Sequence, residues 1–461
     1  MNKSHNTRME NHALLLREYQ DDLLPRKFSS QGRIFVILLS LICTAALLVY
    51  IKQLNKGLGI TAMRDFVSWG IYISNFVFFV AVSLVGSLIT AILYLLKIEW
   101  RAPITRIAEL IAAVSIFCAA SIIIVDMGRP DRLLNILFHG RIQSPIVWDI
   151  IVVTTYMVIS LLLLYFPMLP GLAMCRDNLK DVPVWQQRMY RFLALGWRGS
   201  REQFKVIEKS IRILAILIIP VALAIHTVTS WLFATTLRPG WDSTNLGPYF
   251  VAGAFVAGAS AVLIAMYVFH RYFPAYKKYI LAMHFDKMGK LLVLLLLIYL
   301  YFNVNEYLVP AYKMASAEAH HLADLFKGKY AVMFWLVQIG GMVIPIIILL
   351  FRKGRRPTPV FIIAVIVLVS AWFKRFLIVV PTLLHPFLPM QDVPASYMRY
   401  IPTWEEWTIT IGSLAGAILL ITVFARYFPV ISIWDVATQR GLNLGKTANN
   451  YSNLNIEDDE K

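Results

Sequence analysis

Two carboxylates and two imidazoles stand where an apolar chain has least reason to place them. Asp126 ends one apolar run and opens the stretch DMGRPDRLLNILFHG, which carries His139 next to its final glycine. Asp149 lies about one helical turn into the next apolar run, and His226 interrupts a third within IHTVTSW. An ionisable side chain in hydrocarbon is expensive, so each needs a partner, water or a task. A carboxylate and an imidazole at the rim of a membrane suit one chemistry in particular. They can take hydrogen bonds and protons from the hydroxyls of a quinol as its electrons leave, while an apolar, aromatic slot holds the ring. Trp69, Trp148, Tyr156 and Trp231 fall at the depth to line that slot. The loop itself has a plainer use: Asp126, Arg129, Asp131 and Arg132, around Pro130, can pair among themselves and order the helix end.

Other redox chemistry fits less well. A haem needs two axial ligands on facing helices, but His226 and His284 belong to opposite membrane faces. His320, His321 and His385 read as loop residues. Cys43, Cys118 and Cys175 are scattered without a CxxC pairing, so no iron–sulfur ligand set, other metal site or disulfide framework is expected in this chain. A second polar set lies deeper or on the inner side: Glu109, then His284, Asp286 and Lys290, then Glu306. Glu109, Asp286, Lys290 and Glu306 could order a proton route from the inner face towards the outer half. Alternatively Asp286 and Lys290, four apart on one helix face, neutralise each other.

The elements that must position these groups are membrane helices. Of 461 residues, 58% are hydrophobic and 15% charged, with a mean hydropathy of +0.64, which is too apolar for a soluble protein of this size. The formal charge of +17 sits in short loops between apolar runs, with no basic stripe bearing interleaved aromatics, so nucleic acid is not an expected partner. A hydrocarbon core of about 30 Å needs roughly 20 apolar residues of helix. Ten such runs occur, at about 34–52, 66–96, 104–125, 146–169, 208–236, 247–272, 287–308, 329–352, 359–380 and 406–427. The first is too long for the apolar part of a cleavable signal and lacks a small-residue cleavage pattern, so it is expected to stay as a helix. The fold class is all-α and polytopic.

Orientation follows from charge. The segment before the first run, LKIEWRAPITR, the connection from Cys175 to Lys205, RYFPAYKK, RKGRR and the final segment carry more than twice the positive charge of the other connections. The positive-inside rule places them in the cytoplasm, both termini included, and the Asp126–Gly140 loop outside. This gives a cytoplasmic N-terminal tail (1–33), a membrane domain (34–427) and a cytoplasmic C-terminal tail (428–461). HALLLREYQDDLLPRKF in the first tail could lie along the inner membrane surface, and NIEDDEK is an acidic end. Ala254 with Gly258, and Gly412 with Gly416, are small pairs at helical spacing that suit close helix packing.

Several ordered motifs carry a resemblance. DMGRPDR, SPIVWD (Ser144 to Asp149), HTVTSWLF (His226 to Phe233), RPGWDSTNLGPYFVAGA (Arg238 to Ala254) and HFDKMGKLL with YFNVNEYL (His284 to Leu308) resemble the NrfD/PsrC superfamily of quinone-interacting membrane subunits. The likeness runs from about residue 57 to 428 and is nearest the ten-helix type found in alternative complex III and in the Qrc, Hmc and Dsr complexes. It implies two four-helix bundles, about 66–236 and 247–380, with a flanking helix on each side. It also implies a menaquinone or ubiquinone site in the first bundle near the outer face. The implied partners are an extracytoplasmic, ferredoxin-like iron–sulfur subunit, molybdopterin-type or multihaem cytochrome c subunits, and a second NrfD-like membrane subunit. The implied place is the bacterial inner membrane. Against the quinol-oxidising subunit of alternative complex III, Asp149 matches, whereas Asp126 stands in place of a histidine and Leu232 in place of a carboxylate.

The expected function is therefore that of a quinone-binding membrane subunit of a respiratory oxidoreductase, acting only within a complex. The alternatives are a structural or proton-conducting subunit of the same fold and, from a different class, a secondary transporter. The charges gather towards the outer rim and no matching pair of broken half-helices is apparent, which disfavours transport.

Overall fold

In lipid a backbone must satisfy its own hydrogen bonds, which leaves a chain this apolar with helices as its solution. The computed structural model describes residues 28–431 apart from Lys97, Lys180, Pro389 and Met390, and among these every regular element is helical. The readings of HALLLREYQDDLLPRKF and NIEDDEK lie outside the described residues. Among the described residues, ten helices are long and apolar enough to cross a membrane. The first five are Ser30–Lys56, Ile71–Leu95, Pro103–Asp126, Pro145–Asn178 and Arg201–Ala234. The second five are Leu246–Tyr272, Ala282–Lys313, Ala331–Leu350, Pro357–Leu383 and Trp404–Tyr427. We call them spans one to ten, and the end holding Asp126, Pro145 and Ala234 the outer end.

Several boundaries differ from expectation, and three of them are instructive. The run expected to be helical from residue 66 becomes a helix only at Ile71. Residues before it are apolar because they are packed: Phe66 and Val67 are buried in irregular chain held by Arg64, whose guanidinium donates to the carbonyls of Thr61 and Met63 at 2.7 and 2.6 Å. Span four continues past residue 169 to Asn178, and span five starts at Arg201 rather than 208. Its polar first turn is stabilised by a capping box in which Ser200 and Gln203 satisfy each other's backbone N–H groups. Span eight contains an unforeseen π-helical segment, Leu336–Val343.

Spans two to five close a ring of neighbours, two on three, three on four, four on five and five on two. Spans six to nine close a second ring in the same order. The rings share a wall where span two packs on spans six and nine, and span five on span six. Span two has no charged residue and is almost wholly buried, as the shared wall requires. Gly258 of span six makes that contact possible, since a Cβ there would collide with the Val85 side chain and approach Val82 O to 3.0 Å.

Spans one and ten pair along one flank, with Gly412 facing Ala46 too closely for any side chain. At the outer end Glu406 fastens the pair. It accepts from the Ala62 and Thr403 N–H groups at 2.9 and 2.8 Å and from the Tyr400 hydroxyl at 2.6 Å. Asn75 then ties span two to spans nine and ten, donating to Thr410 Oγ1 and accepting from Trp372 Nε1, both at 2.8 Å.

Replacing Gly412 by Leu should push span one off span ten at a cost of about 1–3 kcal/mol, the usual penalty for overpacking. A thermal melt of the purified protein in mild detergent checks this, and an unchanged midpoint would contradict the packing described.

Candidate functional site

Pro145 starts span four, which puts Asp149 on its second turn, and the side chain is buried. Across the interface with span five, Thr229 Oγ1 donates to Asp149 Oδ1 at 2.6 Å. His226 lies one turn away from Thr229 on the same helix face. It is 2% exposed, and its Nε2 makes no hydrogen bond. Arg375 of span nine, in the second ring, lies near enough for its positive charge to bear on this imidazole. Arg375 is itself buried, has an Nη1 without a hydrogen bond, and lies over the Phe250 ring at 4.9 Å. Gly253 of span six makes room for it: a Cβ there would stand 2.9 Å from Arg375 Nη2 and 2.8 Å from the Tyr299 ring. Asp149, Thr229, His226 and Arg375 thus form a polar strip that runs from the first ring to the shared wall.

Aromatic rings close the outer side of this strip. Phe233 packs against Trp241, Trp69 and Phe250 at centroid distances of 4.9, 5.6 and 5.7 Å, and Trp69 stacks on Trp241 at 6.0 Å. Trp241 is fixed by donating Nε1–H to Ile378 O at 2.8 Å. Two turns below Asp149, Tyr156 donates to Ser83 O at 2.6 Å and contacts Ser87 Oγ at 3.1 Å, pinning span four to span two. A carboxylate, an imidazole and a guanidinium beside an aromatic wall can bind a flat ring through its oxygens and exchange protons with it.

The remaining residues singled out from the sequence go elsewhere. Asp126 does not join Asp149. It ends span three beside Tyr72 and Glu406, in a cluster where Tyr72 donates to Gln53 Oε1 at 2.8 Å and Gln53 to Val125 O at 2.9 Å. Span three presents its last turn to spans one, two and ten there, which turns Asp126 away from the span four and five interface. His139 is exposed on the short helix Asn135–His139. Trp148 is half-buried and donates to the Ile142 carbonyl, and Trp231 is 48% exposed on the outward face of span five. Arg129 forks onto Asp131 at 3.0 and 2.9 Å, holding that carboxyl below its usual range. Arg132 is exposed.

The residues of the inner route occupy separate places. Glu109 lines a cavity of about 40 Å³ at the inner ends of spans two to five with Arg106, whose guanidinium donates to Pro167 O and Pro429 O at 2.7 and 3.1 Å. Asp286 is held between Lys290 at 2.7 Å and Arg355 at 2.8 Å. Glu306, far along span seven, accepts from Asn245 at 3.0 Å and Ser243 at 3.1 Å.

The structure also holds a group that the sequence reading passed over. Lys374 and Arg375 lie in AWFKRFLIVV of span nine, nine residues or so before its end, about 13 Å into the membrane. Lys374 is 1% exposed, donates to the Tyr307 hydroxyl at 2.7 Å, and has the rings of Tyr307, Phe334 and Tyr249 within 4.5, 5.5 and 5.6 Å. Tyr249 donates to Asn303 Oδ1 at 3.0 Å, and Asn303 to Gln338 Oε1 at 2.6 Å. Gln338 sits on the π-helical segment, a distortion that frequently marks a functional position. Above them a cavity of about 30 Å³, enough for a water, is lined by Glu306, Tyr307, Glu318, His321 and Thr382. Two adjacent cations inside an apolar run were the available signal, by the same cost that singled out Asp149.

His321 belongs to the surface helix Ser316–Phe326 and is buried, so its imidazole is pushed down to about 4, by burial first and then by His385. Unfolded, it would take a proton near 6.5. Because the unfolded chain binds a proton that the folded site excludes, stability is full above about 6.5 and is lost as pH falls towards 4. Thermal melts across that window should show the loss, and His321→Gln should flatten it. An identical pH slope in the variant would contradict the assignment.

Among the described residues no group of three or more His, Cys, Asp or Glu is arranged to hold a metal ion. The family model described as polysulphide reductase, NrfD, matches residues 59–386. A selenate reductase subunit of Mesobacillus selenatarsenatis is 24% identical over 412 residues, covering 87% of this chain and 95% of its own. A putative dimethyl sulfoxide reductase membrane subunit of Halobacterium salinarum is 28% identical over 435 residues, covering 87% and 92%. The Hdr-like menaquinol oxidoreductase integral membrane subunit of Archaeoglobus fulgidus is 23% identical over 408 residues, covering 86% and 93%. These relatives are named as subunits of reductases and an oxidoreductase, and the family match over most of the ten spans shows that this chain is a multi-pass membrane protein of the NrfD family.

Proposed function

We propose that this chain is the quinone-binding membrane subunit of a multisubunit oxidoreductase, with the headgroup held where spans four and five meet the shared wall. The observation that carries this reading is the buried Asp149–Thr229 bond beside a buried His226 with a free Nε2. The menaquinol named for the Archaeoglobus relative supports the substrate class, menaquinone or ubiquinone.

In the direction of quinol oxidation, His226 Nε2 accepts a hydrogen bond from one hydroxyl. Asp149, oriented by Thr229, takes a proton, and Arg375 favours the charge that develops on the ring oxygen. An iron–sulfur cluster in an extracytoplasmic subunit would take the two electrons one at a time, and the two hydroxyl protons would leave through Asp149 and His226 towards the outer side. Quinone reduction runs the same steps backwards. The positive charge of the inner connections supports cytoplasmic termini, and the family supports a place in the bacterial inner membrane.

The second ring supports an added role in proton movement. Lys374, Tyr307 and Glu306, below a cavity reaching His321, form a chain of groups able to hold protons within the membrane. Should protons be drawn from the inner side, turnover of the complex in vesicles generates a membrane potential that Glu306→Gln diminishes. An absent potential, or one indifferent to that change, removes the role.

Asp149→Asn keeps the shape of the side chain and should leave the complex assembled, as judged by co-purification of its subunits, while quinone-linked electron transfer falls to background. Thr229→Val, which removes one hydrogen bond, should lower turnover by about fivefold. Normal turnover in an assembled Asp149→Asn complex would remove the site from this location.

A further inference from the structure

The connection between spans four and five contains the helix Val184–Leu193, which has the strongest separation of polar and apolar faces among the helices of ten residues or more. Its inner face is fixed to the protein. Gln186 donates to the Tyr190 hydroxyl at 2.8 Å, Tyr190 donates to Tyr427 O at 2.7 Å, and the Tyr190 ring meets Phe428. The Leu193 carbonyl accepts from the Tyr165 hydroxyl at 2.6 Å. These partners set its depth. Tyr427 is the last residue of span ten. Tyr165 ends the 21 residues of regular helix that begin at Pro145, a length of about 30 Å and hence one hydrocarbon thickness. The helix therefore lies sideways at the edge of the hydrocarbon layer rather than out in solution.

Its outward face joins apolar side chains to arginine. Val184 and Phe192 are 63 and 76% exposed, Trp185 is 54% exposed with one edge against the Tyr427 ring at 5.4 Å, and Leu195 just past the helix is 66% exposed; Arg188 and Arg191 are exposed between them. Arg176, at the end of span four, is already paired with Asp177 at 2.7 Å, whereas none of the described salt bridges engages Arg188 or Arg191. A water-facing helix would not present four large apolar groups, and a helix buried in lipid would not present arginine. An interfacial helix presents both, with rings and aliphatics at the acyl boundary and guanidinium groups at phosphate level.

We infer that Val184–Leu193 is an anchor for anionic phospholipid: Arg188 and Arg191 bind headgroup phosphates while Val184, Trp185, Phe192 and Leu195 enter the boundary of the leaflet. Two positive charges near an anionic surface give it a preference for acidic over zwitterionic lipid. The inference depends on the membrane-spanning fold alone and stands or falls apart from the quinone site.

The test titrates the purified full-length protein with phosphatidylglycerol and with phosphatidylcholine, counting bound lipid by native mass spectrometry. The wild type should prefer phosphatidylglycerol, and the exposed double change Arg188→Gln with Arg191→Gln should lower that preference about thirtyfold. A preference that survives the double change, or no preference at the start, overturns the proposal. A photo-reactive benzoylphenylalanine in place of Phe192, irradiated in native membranes, should give an adduct with the mass of a phospholipid. A protein adduct instead would make this face a subunit interface, and either that or the absence of an adduct overturns the proposal.

Discussion

A polar side chain inside a bilayer has no water to fall back on, and the arrangement of this molecule follows from that. Most buried polar groups on the spans face other spans, and because each ring of four helices encloses one interior, they collect in two cores, with a third cluster around Glu406 between the rings and the flanking pair. Span two can serve as the wall between them because it carries no charge and meets span six through glycine. Were that wall charged or thick, neither core could be closed to lipid, and Arg375 could not reach from one ring towards the other.

The cores differ in kind. The first is acidic and imidazole-bearing, sits near the outer rim, and lies beside a stack of aromatic rings. Its carboxylate and imidazole suit the proton chemistry of a redox-active ring with two oxygens. The second is deeper and built on a lysine enclosed by three aromatic rings, one of which, Tyr307, also accepts its hydrogen bond. Its Lys374, Tyr307 and Glu306 belong to the same network as Asn303 and Gln338, and the π-helical segment of span eight lets Gln338 complete it. Arg375, adjacent in sequence to Lys374, belongs to both cores at once, which gives a physical route for a charge change in one to be felt in the other.

Much of this was legible from residue types. Spans announce themselves because the hydrocarbon core demands some twenty apolar residues, and Asp149 and His226 stood out because the same demand makes them costly. Apolarity reports burial rather than helicity, however, so Phe66 and Val67 were misplaced into span two when they pack as irregular chain. Depth along a helix can be read from spacing, but the direction in which a side chain leaves it cannot. Asp126 and Asp149 are at similar depth and face different neighbours, and Trp231 points away from the rings that Phe233, two residues on, helps to stack. Tertiary partners were out of reach for another reason: Thr229 with Asp149, or Asn303 with Gln338, are pairs between spans whose registers no single sequence fixes. Lys374 and Arg375 were legible by cost and were masked by the strongly apolar residues around them.

The central claim is that the quinone headgroup lies against spans four and five at the shared wall. Photolabelling the assembled complex with an azido-quinone, followed by peptide mapping, tests it most directly. The account predicts label on the segments around Asp149 and between His226 and Phe233, displaced by excess unlabelled quinone. Label confined to spans seven to nine, or to the Asp126 and Glu406 cluster, would contradict it.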